Sequence, residues 1–200
     1  MKTLSELWKE FDEKGLTLSP EGITDLQWHI EHDEDPSDAI DAARDMFIET
    51  VDPEWLEKKV ISLMAKHLDN EDSMVRDCAV GGVIGICAAA EYGKQALVLA
   101  RFDPDLYVRT TALSGLGRII NKVDPKLARK MAMHLYSVLT SPDENQFGYA
   151  DRGASKRSVL SSMEVYYPDW ETVDFDEVWG KFLKKYNLPE KEVVHVERGW

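Results

Sequence analysis

Two histidines three residues apart, His29 and His32 in the run HIEHD, are the residues whose type and spacing come nearest to a metal site. An i, i+3 pair can project two imidazoles from one helix face, but zinc needs further ligands, and none stands at a fixed spacing here. The run is expected to end a solvated helix and to contribute to an acidic surface. His67 and His134 fall among Leu and Met, and neither has a Ser or Cys nucleophile at a recognisable motif spacing. Gly81-Gly82-Val83-Ile84-Gly85 is rich enough in glycine for a phosphate loop, yet such loops follow a strand, and this one lies inside a helical pattern, so close helix packing is expected. Asp69 to Asp72 opens like a calcium loop, but Met74 occupies the position that needs glycine, and no Glu follows at the twelfth position. Cys78 and Cys87 on one helix would lie about 180° apart and roughly 13 Å along the axis, too far to pair, which fits a reducing compartment. No catalytic residue, metal or cofactor is assigned, and the chain is not expected to be an enzyme.

The remaining chemistry is charge. Lys plus Arg number 24 against 37 Asp plus Glu, a net −13, and a surface that acidic repels phosphate backbones and anionic lipid. Neither nucleic acid nor membrane is expected as a ligand. Glu31, Asp33, Glu34, Asp35, Asp38 and Asp41 crowd one inter-helix turn; Asp169, Glu171, Asp174, Asp176 and Glu177 crowd another beside Trp170, Phe175 and Trp179. Helix-dipole complementarity and solubility account for part of this. The sharper reading is a docking surface in which carboxylates steer a basic protein and aromatic rings anchor it. Phe147 and Tyr149, in a long connection from Ser141 to Gly153, either tuck into the fold or join that surface. The partner-binding residues assigned are Glu31, Asp33, Glu34, Asp35, Asp38, Asp41, Phe147, Tyr149, Trp170, Asp174 and Asp176.

These residues need elements to position them, and apolar periodicity along the chain is helical almost throughout. With 44% hydrophobic residues and six Trp the chain can bury a core. Ser19-Pro20, Asp35-Pro36, Asp52-Pro53, Asp103-Pro104 and Asp124-Pro125 each put a capping or turn residue before a proline that suits a first helical turn. The pattern predicts helices near 3–14, 20–31, 36–50, 53–68, 72–90, 92–101, 105–121, 124–140, 153–166 and 174–187. Glu192 to Glu197 alternates like a strand without a partner and is expected to be an extended or packed arm. The longest charge-free run, Cys78 to Ala90, is short of the roughly 20 residues of a membrane span, and the charged start MKTLSELWKEFDEKG lacks a signal-peptide core. A cytoplasmic protein, monomeric when free, is expected.

The chain also repeats itself. Asp72, Val75, Arg76, Ala79, Gly82, Val83 and Ile86 recur 33 residues on as Asp105, Val108, Arg109, Ala112, Gly115, Leu116 and Ile119, with the apolar or small positions forming one helix face. Ser155, Lys156, Val159, Ser162, Met163 and Tyr166 follow more loosely, and Ala39, Ala43, Met46 and Phe47 match upstream. A second apolar helix precedes each of them, and such pairs bury both faces only by stacking. The D-x-x-V-R-x-x-A runs at Asp72–Ala79 and Asp105–Ala112 resemble the HEAT-like repeat family, including its phycobilin-lyase variant. That resemblance implies an all-α fold, a HEAT-like α-α superhelix, as a short solenoid of about four helix pairs. Residues 1–19 would form an N-terminal capping helix, 20–166 the helix-pair repeats, and 167–200 a C-terminal cap helix and extended arm, all in one domain. It also implies that Arg76, Arg109, Asp72 and Asp105 are structural, as a ladder keying adjacent layers, with Lys156 replacing the arginine in the last copy.

The functional expectation is an acidic protein-binding module, most concretely an immunity-type inhibitor that neutralises a basic toxin or nuclease. A HEAT-like adaptor or assembly factor is the alternative. A HEAT-like lyase or DNA glycosylase comes third, since no catalytic motif supports the lyase and −13 opposes a DNA groove.

Overall fold

Ten α-helices and no strand make up the described residues, 1–50, 60–143, 146–166 and 168–194, of the computed structural model. The chain gathers into two compact units, Met1–Ala89 and Ala90–Trp200. The first holds α1 (Leu4–Glu13), α2 (Pro20–His32), α3 (Ser37–Glu49), the short α4 (Ile61–Ala65) and α5 (Ser73–Val80), which runs on into a π-type turn at Gly81–Ile86. Local chemistry starts these helices: Thr3 and Glu6 cap α1 reciprocally, Ser19 accepts from the Gly22 N–H ahead of a proline at the first helical position, and Asp72 accepts from the Met74 N–H. Leu7 and Phe11 of α1, Leu26 and Ile30 of α2, and Ile40 and Met46 of α3 are fully buried at helical spacing and form the core of this unit.

Glu10 is a buried charged residue beside that core. It is 8% exposed, and its carboxylate takes Lys2 Nζ at 2.6 Å, Lys14 Nζ at 2.8 Å and the Ser19 N–H at 3.2 Å. The Lys14 contact first, then Lys2 and Ser19, hold the carboxyl well below the usual range. Gly22 belongs to the same latch, because a Cβ there would sit 2.6 Å from Glu10 Oε2.

The second unit holds α6 (Gly93–Phe102), α7 (Leu106–Ile119), α8 (Pro125–Thr140), α9 (Tyr149–Ser162) and α10 (Phe175–Lys185). Asp105, Asp124 and Asp174 cap α7, α8 and α10 through the first free N–H groups. Leu113 and Leu116 of α7, Met131 and Leu135 of α8, and Phe182 of α10 lie in its core. The tail is packed: Trp179 Nε1 donates to the Lys191 carbonyl at 2.8 Å and the Val194 N–H to the Leu139 carbonyl at 2.9 Å. Glu192 to Val194 form no strand; residues 195–200, the rest of the alternating run, lie outside the described residues.

Four expectations need correction. The helix expected over 53–68 ends at Ala65 rather than 68; Ile61–Ala65 is its described part, and 51–59 lie outside the described residues. At two of the Asp-Pro pairs the aspartate is a turn residue but the proline lies ahead of the first helical turn: Asp35 accepts from the Ser37 N–H and hydroxyl, with Pro36 at the cap position of α3, and Asp103 accepts from the N–H of the α7 cap, Asp105. Helix α9 begins at Tyr149 rather than 153, so the connection Ser141–Gly148 is of ordinary length.

The fourth is the register of the last repeat copy. Arg76 and Arg109 each stand four residues after their capping Asp. Arg152 stands four after Gly148, the cap position of α9, so Arg152, not Lys156, is their counterpart. The hydrogen bonds agree. Arg76 Nη1 donates to the carbonyls of Asn70 and Glu71, and Arg109 Nη1 to those of Asp103 and Pro104, in each case to the loop leading into the arginine's own helix. Arg152, 5% exposed, donates to the carbonyls of Phe147, Val138 and Ser141. Arg109 Nε also reaches Asp151 of α9 at 3.2 Å, while Lys156 is exposed with its ammonium 4.6 Å from the centre of the Phe175 ring.

Candidate functional site

The acidic turn is built from the end of α2, the loop 33–36 and the start of α3. Its six carboxylates are not equivalent. Glu31 is bound by Lys66 Nζ at 2.6 Å and Asp41 by Arg44 Nη1 at 2.7 Å, while Asp35 is spent on the Ser37 turn. Asp33 faces His29 Nδ1 at 2.9 Å. Glu34 and Asp38 are exposed and carry the outward charge, together with the open sides of their paired neighbours.

His29 is held from both sides, with Nε2 2.8 Å from the Lys2 carbonyl and Nδ1 against Asp33. Both partners are acceptors, so a ring that satisfies both is the doubly protonated imidazolium. Burial opposes that charge, but the Lys2 carbonyl and Asp33 outweigh it and the pKa is raised. With both nitrogens engaged this ring is not poised to bind metal, and no group of three or more His, Cys, Asp or Glu suited to a metal occurs among the described residues. His32 stacks on Trp28 instead, with ring centres 5.0 Å apart.

Trp28 is the residue that sequence reasoning passed over. It lies on the exposed side of α2, 38% accessible and one helical turn before Glu31, as an aromatic ring beside the acidic turn. Its signal was present as a tryptophan off the buried stripe of Leu26 and Ile30, masked by its apolar type.

The residues assigned in the second unit are scattered over separate features. Phe147 turns inward, half-buried, with its ring 6.2 Å from that of His134. Tyr149, in the first turn of α9, is 53% exposed. Trp170 is half-buried in the turn Asp169–Glu171; Asp174 is occupied as the α10 cap, and Asp176 is exposed. His134 is buried, donates through Nε2 to the Ala100 carbonyl at 3.1 Å, and burial pushes its pKa down. Burial first, then the neighbouring Asp41 carboxylate, pushes the Cys78 thiol up to about 12, which deprives it of nucleophilic thiolate.

Charge divides sharply between the units. Residues 1–89 carry 8 Lys and Arg against 21 Asp and Glu, and residues 90–200 carry 16 of each. All 13 excess negative charges therefore belong to the first unit, and the second is neutral. Within that neutral unit, Lys94 and Arg101 of α6 and Lys126, Arg129 and Lys130 of α8 border neighbouring hollows, a basic feature that sequence reasoning also missed. Lys126, Arg129 and Lys130 share a helix face by spacing, but nothing in the linear chain says that α6 adds two more cations.

Fold and site together define a class: an all-helical protein with a concentrated acidic face. No protein-family model, curated protein or solved structure matches the chain. No helix among the described residues is long and apolar enough to cross a membrane.

Proposed function

We propose that the protein is a protein-binding module whose acidic first unit captures a basic protein, most concretely as an immunity-type inhibitor that neutralises a basic toxin or nuclease. The observation that carries this reading is the confinement of the whole −13 charge to residues 1–89, with Glu34, Asp38 and the exposed Trp28 close together in sequence at one end of α2. A field of one sign on one unit raises encounter rates with oppositely charged partners, and a ring inside it supplies the apolar area that slows release. The scaffold fits a HEAT-like organisation of helix pairs: α5, α7 and α9 share an arginine four residues after the cap position, turned back onto preceding loop carbonyls.

The test is affinity capture from a native lysate at low and physiological salt, with wild type and a Glu34→Lys/Asp38→Lys variant, followed by binding kinetics on whatever basic protein is retained. The expected result is a basic protein held by wild type, with association slowed about tenfold or more by the double reversal, and release accelerated by Trp28→Ala. Capture indifferent to both salt and charge reversal overturns the proposal. Loss of the partner's own activity on binding distinguishes an inhibitor from an adaptor.

A further inference from the structure

Five cations line the space between α6 and α8, and none of them forms an ion pair among the described residues: Lys94, Arg101, Lys126, Arg129 and Lys130. Several other cations are spent internally, as with Lys2 and Lys14 on Glu10, Arg44 on Asp41 and Asp45, and Lys66 on Glu31. The one carboxylate at this site, Asp124, is taken up by the N–H groups of Lys126 and Leu127 as the α8 cap. A cluster of like charges repels itself, so leaving it unneutralised costs stability unless something else supplies the counter-charge.

The cations border a furrow. Two hollows of about 460 and 480 Å³ share Arg101, Lys126 and Lys130, and so adjoin along α8. Apolar surface is open beside them, with Val98 55%, Phe102 68% and Met133 40% exposed. The lining on α8 runs from Lys126 to Ser137, roughly 16 Å at the helical rise, which matches about five residues of extended chain.

We infer that this furrow docks an acidic, extended segment of a partner protein, with carboxylates on the five cations and one or two apolar side chains against Val98, Phe102 and Met133. A short peptide can alternate the two chemistries as the furrow does. A nucleic acid strand carries an unbroken run of charge, which this alternation of cations with Val98, Phe102 and Met133 does not match. The site is separate from the acidic face of the first unit, and its proposal does not depend on that reading.

The experiment uses the full chain and a fluorescein-labelled seven-residue peptide of Asp and Glu with one central Phe, read by fluorescence anisotropy at low and physiological salt. The peptide is expected to bind with salt-sensitive affinity, its Asn/Gln counterpart to bind at least tenfold more weakly, and replacement of its Phe by Gly to weaken it further. Lys126→Glu/Lys130→Glu, on exposed positions and verified by an unchanged thermal midpoint, should cost at least tenfold. Asp33→Lys/Glu34→Lys/Asp35→Lys in the other unit should not weaken it. Absence of binding, equal binding of the Asn/Gln peptide, or indifference to the double reversal overturns the proposal. So does equal competition by oligouridylate of matched charge, which would make the furrow a general polyanion site.

Discussion

At the scale of single residues, two ionisable groups in the first unit make opposite pH-dependent contributions. Glu10 is depressed by Lys14, Lys2 and Ser19, so the stability it supplies is fully present above the unfolded carboxylate value of about 4.3 and is lost as pH falls toward the folded value. Glu10→Gln should therefore lower the unfolding midpoint at pH 7, with the gap to wild type closing below about pH 4. His29 runs the other way. Its pKa is raised by the Lys2 carbonyl and Asp33 over the cost of burial, so its contribution is complete below the unfolded value of about 6.5 and disappears as pH rises through the folded one. Denaturant titrations of wild type and His29→Gln from pH 6 to 8.5 should converge as pH rises; a constant difference would mean that His29 stabilises only by packing. Neither latch was legible beforehand, because Lys2 reaches Glu10 and His29 only once α1 and α2 have packed.

At the scale of elements, the crossing of α7 and α9 explains both the strength and the weakness of a sequence reading. Caps at Ser19, Asp72, Asp105, Asp124 and Asp174 act through neighbours two or three residues away, and such local chemistry is visible in the chain. The register of α9 was not visible, because its buried face is polar: Ser155, Ser158 and Ser162 are fully buried where the other copies carry Ala, Gly and Ile, and the apolar pattern slid past them. Those small side chains let the backbones touch. A Cβ on Gly117 would lie 2.2 Å from the Ser158 carbonyl oxygen, while the Ser158 hydroxyl takes the Gly117 N–H at 2.7 Å and donates to the Leu113 carbonyl. Backbone cannot yield as a flexible side chain does, so Gly117→Ala should destabilise by about 3 kcal/mol or more. Ser158→Ala, which removes the bridge without a clash, should cost about 1–3 kcal/mol. Chemical denaturation of both variants checks this; a neutral Gly117→Ala would refute the close crossing. Arg152→Ala, leaving two loop carbonyls and the Val138 carbonyl of α8 without their donor, should cost about 2–4 kcal/mol, whereas Lys156→Ala should be near neutral, which tests the register directly.

At the scale of the whole molecule, the partition of charge has a consequence for stability as well as for binding. Net charge far from zero strains a folded unit by self-repulsion, and added salt screens it over a Debye length of about 10 Å at 0.1 M. Residues 1–89 carry all 13 excess negative charges, and with 21 carboxylates against 8 Lys and Arg most of these carboxylates have no cation to pair with, so repulsion outweighs attraction there. Residues 90–200 carry equal numbers of cations and carboxylates and are neutral overall. Salt should therefore act on one unit and largely spare the other. Native-state hydrogen exchange resolves this, because protection is read amide by amide. Raising salt from about 10 to 150 mM should slow exchange in α1, α2 and α3 by severalfold, while amides of α7 and α9 change little. Glu34→Lys and Asp38→Lys should reduce the salt response of the first unit in the same experiment. Equal slowing in both units, or a salt response untouched by those substitutions, would show that the acidic excess is solvated too well to strain the fold, and the charge of the first unit would then bear on encounter with partners alone.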